Sequence, residues 1–317
     1  MTARQATGGD STLPSPEVRI LLFGLALAAT AELIILRTFT RTAIHIPAFE
    51  LLGGPYRVIA DAGRYTYFMS VVLLIVALPV VVRANWKQAK GAGRATAGGL
   101  ALLAVALAAA AVGAGSDFQL NVVSLAVVTL LAGAAAIGAK PRAALPVALF
   151  GLAFVFSATH TTLQLAAQEG VVQLDARWLL SFAEILGVGF ALSSPLLVKG
   201  RASRGASLVS ALVGLAVFGM LLSEGSTLRI LLLWNGGLAG TLPSTVYAGA
   251  AAALTFTVVT LLQRGDRVMV AGFVLLLAGG IGLHNTYQTG LTAMGLAVLC
   301  LAFATPERHT VDELPAR

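Results

Sequence analysis

Ten apolar stretches recur along this chain, and each is a candidate to cross the hydrocarbon core of a bilayer as a helix, which takes about 20 residues. Their limits read as 19–37, 62–82, 96–114, 119–138, 144–166, 177–198, 206–222, 244–263, 268–285 and 290–304. In lipid every backbone N–H and C=O must be satisfied inside the protein, and a helix does that within one segment. The expected fold is therefore an all-α, polytopic integral membrane helix bundle of about ten transmembrane helices. Composition agrees: apolar residues make up 57% of the chain and charged residues only 11%, against roughly 25% charged in a soluble domain. So few charges cannot cover a water-facing surface, and the main solvent is lipid.

The charged residues are placed as a membrane requires. Arg83, Lys87, Lys90 and Arg94 lie between the second and third runs. Lys140 and Arg142 follow the fourth, Lys199, Arg201 and Arg204 the sixth, and Arg264 and Arg267 the eighth. The loops between these carry Asp117, then Glu169 with Asp175, then Glu224. Short basic loops mark the cytoplasmic side, so both termini are expected in the cytoplasm and the protein in the plasma membrane. The net charge of +7 is spread over these loops, which argues against a nucleic-acid partner. The chain divides into a disordered cytoplasmic tail at 1–18, the bundle at 19–304 and a short cytoplasmic tail at 305–317. An outer loop is expected at 38–61. The stretch 229–244, "RILLLWNGGLAGTLPS", is short and broken by Gly236, Gly237, Gly240 and Pro243; it reads as a re-entrant or interfacial segment.

Two apolar runs carry the same short pattern: "HTTLQ" from His160 to Gln164 and "HNTYQ" from His284 to Gln288. Lys140 and Arg264 each stand twenty residues before the histidine. "PVVVR" (Pro79 to Arg83) and "PLLVK" (Pro195 to Lys199) match as well. These correspondences suggest a parallel internal repeat of four helices, spans 1–4 against spans 5–8, with spans 9–10 as a partial third unit.

Polar side chains gather in the outer half. Glu184 lies about 10 Å into the sixth span at 1.5 Å per residue, and Glu32 is near the outer end of the first. A carboxylate in a membrane is costly and faces a partner or a cavity. Arg177, two turns from Glu184 on the same face, is the partner expected from sequence. Glu184, Glu32 and His45, in the outer loop, form the candidate proton or substrate site.

On a helix, His160 and Gln164 share a face, as do His284 and Gln288. Two imidazoles on facing helices at equal depth suit a haem b iron or copper. His160 and His284 are the candidate metal ligands, with Gln164, Gln288 and Arg177 as further cofactor contacts. The bland reading is that His, Thr, Gln and Tyr collect wherever helices leave a membrane. No P-loop, HExxH, CxxC, CxxCH, GxSxG or dinucleotide fingerprint occurs, and the single Cys300 excludes an intrachain disulfide and a cysteine cage.

Three functions follow. The first is a haem- or metal-binding redox or assembly subunit working with partner subunits in the bilayer. The second is a secondary transporter of a small solute or ion, using Glu184 and the histidines. The third is a non-catalytic scaffold built on small-residue faces such as "AVALAAAAVGAG".

Overall fold

A computed structural model describes residues 15–40, 53–88, 91–170, 176–198, 203–224 and 242–304. Helix accounts for 89% of these residues and no strand occurs among them, which fixes the all-α class. Ten α-helices follow in order: α1 (Pro16–Glu32), α2 (Gly53–Gln88), α3 (Ala92–Ala111), α4 (Asp117–Gly138), α5 (Pro141–Gln168), α6 (Trp178–Ser193), α7 (Arg204–Glu224), α8 (Ser244–Gln263), α9 (Arg267–Gly279) and α10 (Thr286–Ala304). Each corresponds to one apolar run. Among the described residues nine helices are long and apolar enough to cross a membrane; α9, with 13 residues, is the short one. The chain is a multi-pass helical membrane protein. The tails 1–14 and 305–317, His45, and most of the 229–244 stretch lie outside the described residues.

Local chemistry starts the helices where the runs begin. Pro16 and Pro141 open α1 and α5, where a missing N–H costs nothing. Ser116 and Gln119 form a reciprocal capping box at α4. Asp266 accepts from the Met269 N–H at the start of α9.

α10 is the centre of the bundle. Of its apolar window 78% is buried, against 17% for α2, and it packs on α2, α3, α4 and α9. Residues such as Ile137, Val112 and Leu215 face outward. In lipid such exposure costs nothing; it is the expected outer surface.

Two departures from the sequence reading have clear causes. The two ends of the outer loop expected at 38–61 are helical: α1 continues as a π-helix over Leu33–Thr40, and α2 already begins at Gly53, while 41–52 lie outside the described residues. Arg57, Asp61 and Arg64 end the apolar run but not the helix, and Arg64 pairs with Asp61 on its exposed side. Likewise α1 begins at Pro16, inside the expected tail. At the other end of the chain, the ninth run was read as one helix to residue 285, but α9 stops at Gly279. Glycine conformation ends it, which hydropathy does not register.

The quartets equated by the suggested repeat agree in their first and last pairs, α1–α2 with α5–α6 and α3–α4 with α7–α8, and differ in how the second helix meets the rest. α2 lies along α3, whereas its counterpart α6 packs along α8. The segments aligned through their histidines also differ, because α5 is helical to Gln168 and its counterpart breaks at Gly280.

Candidate functional site at a broken helix

Between α9 and α10 the backbone leaves helix at Gly280 and regains it at Thr286. Gly280 and Gly282 have φ of +82° and +127°, a region open cheaply only to glycine. Gly280, Ile281, Gly282 and Leu283 are all buried. The depth of this link follows from the hairpin that carries it. A Cβ on Gly295 would stand 2.7 Å from the Leu276 nitrogen, and one on Gly272 3.0 Å from the Leu299 nitrogen. Gly279 meets Thr292 in the same register. The helical part of α9 thus ends opposite Thr292, six residues into α10, or about 9 Å short of the α10 start. Over that depth the strand of chain facing α10 is not helical. Such backbone is tolerated in a membrane only where it is buried in protein or lines a cavity.

The link is held from both sides. Thr292 donates its hydroxyl to the Gly280 carbonyl at 3.0 Å. Asn285 accepts from the Gln288 N–H at 2.7 Å and donates its amide to Gln288 Oε1 at 3.0 Å. This is a side-chain cap at the start of α10. On the opposite side, a Cβ on Gly282 would fall 2.6 Å from Ser157 Oγ and 3.3 Å from His284 Cε1. Gly282 is wedged between α5 and the His284 ring. His160, 7% exposed, is one turn past Ser157 on the same face of α5. The link therefore packs against the helix that carries His160.

The matching pattern is not matching structure. "HTTLQ" is the interior of α5, where His160 is buried and Gln164 exposed. "HNTYQ" is the beginning of a helix: His284 precedes it, and Gln288 belongs to its cap. The expected shared face of His284 and Gln288 does not exist, because only one of the two is helical.

A second polar group lies at the same end of α10. The π-helix lengthens the turn, so a residue five positions on comes beneath its predecessor. Arg37 accordingly reaches Glu32, with Nε at 3.0 Å and Nη2 at 2.8 Å from Glu32 Oε2; the pair is buried. Beside it on α2, Ser70 Oγ accepts the Tyr287 hydroxyl at 2.6 Å. Tyr67 packs edge-on against the Tyr287 ring at 4.8 Å. Tyr287 is a buried tie from α10 to α2.

Glu184 is fully buried on α6. The Tyr247 hydroxyl of α8 donates to its Oε1, and the Leu242 N–H donates to that hydroxyl at 3.3 Å. Arg177, the partner expected from sequence, is exposed at the start of α6. Sequence reading missed Tyr247, Ser157 and Ser70, all unremarkable residues in apolar runs, and also the cap at Asn285. Only the cap carried a signal, an Asn followed three residues later by Gln just after a glycine cluster.

Among the described residues no three His, Cys, Asp or Glu side chains cluster as a metal-ligand set. Compared with protein-family models, curated proteins and solved structures, the chain matches none.

Proposed function

We propose that this protein binds a small polar solute or ion within the membrane, in the manner of a secondary transporter, with the α9–α10 link as its site. One observation carries the reading: buried, glycine-rich, non-helical backbone about 9 Å deep at a membrane helix end, as in the broken helices that form transporter sites. Ser157 and His284 supply polar groups beside it, and Glu184 and Glu32 lie in neighbouring interfaces. The basic loops would face the cytoplasm, with both termini on that side of the plasma membrane.

The test is access. In a Cys300→Ser background, Ile281→Cys should react with a small water-soluble thiol reagent in membranes, because a working site opens to water. Thiol inertness from both sides of the membrane would overturn the transporter reading. The haem b or copper site on His160 and His284 is the second reading, favoured by the contact of the link with α5. An absorption spectrum and metal analysis of the purified protein decide it. A haem Soret band, or bound copper, lost on both His160→Ala and His284→Ala would replace the transporter reading.

A further inference from the structure

The far end of the α2–α10 interface holds a side chain that the link does not explain. Asn85 is fully buried. Its amide nitrogen donates to the carbonyls of Val81, at 3.1 Å, and Ala297, at 3.2 Å. Both partners are acceptors, so the nitrogen must face them and the oxygen must face away. That oxygen is buried, and no donor among the described residues reaches it. An acceptor left so costs about 1–3 kcal/mol, and buried acceptors in native proteins are nearly always satisfied, many by water.

The surroundings select the chemistry. Beside this junction Thr96 of α3 contacts Cys300 of α10 at 3.5 Å between Oγ1 and Sγ. Polar groups of α2 and α3 thus meet α10 within one turn of each other, at Ala297 and Cys300. Arg83, Lys87 and Arg94 stand exposed at the same helix ends, with Arg94 over the Trp86 ring at 5.9 Å. From 79 to 100 and from 295 to 304 the chain has no carboxylate. A cation would enter against the positive charge of Arg83, Lys87 and Arg94 and find no carboxylate on the three segments that form the junction. An anion would meet the bare amide oxygen. A neutral hydrogen-bond donor fits both conditions.

We propose that the α2–α3–α10 junction is a hydrated site, in which a water molecule donates to Asn85 Oδ1 and the junction is open to water from the basic end. The dry part of the interface lies between this point and Ser70, about 22 Å away along α2, where Ala77 and Val81 are fully buried. The inference does not depend on the solute-binding reading.

Thiol chemistry needs water, so it reports hydration. In a Cys300→Ser background, Asn85→Cys should react with a small water-soluble methanethiosulfonate at least ten-fold faster than Ala77→Cys on the same helix. Equal, slow reaction at both would overturn the proposal. Should Asn85→Cys fail to fold, a water-resolving map of the unaltered protein takes its place. It should show a solvent peak about 3 Å from Asn85 Oδ1. A map that resolves nearby waters and shows none there overturns the proposal equally.

Discussion

Tyr247, on the first turn of α8, donates its hydroxyl to the buried carboxyl of Glu184, two turns into α6. The same hydroxyl accepts the Leu242 N–H, so one oxygen ties α6, α8 and the chain entering α8. Tyr247→Phe removes the donor to the acid and the acceptor for the amide together. The expected loss is about 1–3 kcal/mol, the cost of stranding buried polar groups. A double-mutant cycle with Glu184→Gln, read by thermal unfolding in detergent, should give a coupling of at least about 0.5 kcal/mol. Arg177→Gln is the comparison. If Glu184 couples to Arg177 and not to Tyr247, the hydroxyl is a bystander.

Glu32 and Arg37 form a different kind of pair, two opposite charges buried in one π-turn. Removing one partner leaves a buried charge and should cost about 3–5 kcal/mol, while replacing both by apolar residues of similar size should restore most of that. Arg37→Leu is therefore expected to fold poorly, and Glu32→Leu with Arg37→Leu to fold well. Because Glu32 is a candidate proton or substrate residue, the double change also tests function. If solute binding survives it unchanged, the pair serves folding alone.

The hairpin of α9 and α10 makes a sharper contrast. A Cβ on Gly279 would enter the Thr292 hydroxyl and stand 2.5 Å from the Thr292 nitrogen, which is backbone of the central helix and cannot yield. Gly279→Ala should cost at least about 1–3 kcal/mol, the range for overpacking. Gly98, on the exposed side of α3, has nothing within 4 Å of the same position. Gly98→Ala should be neutral or stabilising by up to about 1 kcal/mol, since alanine is the better helix former. Unfolding temperatures of the two variants in one detergent settle the comparison; equal losses would mean that the register described for the hairpin is wrong.

These residues also mark what a single sequence discloses. Apolar length and the spacing of basic residues are properties of contiguous segments, and they place all ten helices. Helix ends beyond the membrane, as at Gly53, escape because hydropathy reports solvent and not backbone. The break at Gly280 escapes because glycine counts as part of an apolar run. The partners of Glu184 and Tyr287 escape for a deeper reason: Tyr247 is 63 positions from Glu184, and Ser70 is 217 from Tyr287. Nothing local distinguishes a serine or tyrosine that meets a distant residue from one that does not. Arg37 was visible as a charge, but its pairing with Glu32 requires a π-turn, and sequence spacing alone favours partners three or four residues apart.

The two copies of the His-x-Thr-x-Gln pattern give the last prediction, because the same letters do different work in each. In the second copy Asn285 caps α10 through the Gln288 N–H and receives support from the Gln288 side chain. Asn285→Ala should cost about 0.5–2 kcal/mol, the range for losing a helix cap, and Asn285→Ser or Asn285→Asp should recover most of it. The loss should be local as well as global, since the cap also fixes where the link ends. Labelling of Ile281→Cys should therefore quicken when Asn285→Ala is added. In the first copy Gln164 is exposed within a continuous helix, so Gln164→Ala should change stability by no more than about 0.5 kcal/mol, as expected at the surface. Similar losses from Asn285→Ala and Gln164→Ala would mean that the two segments are structurally equivalent after all, and that α10 begins elsewhere.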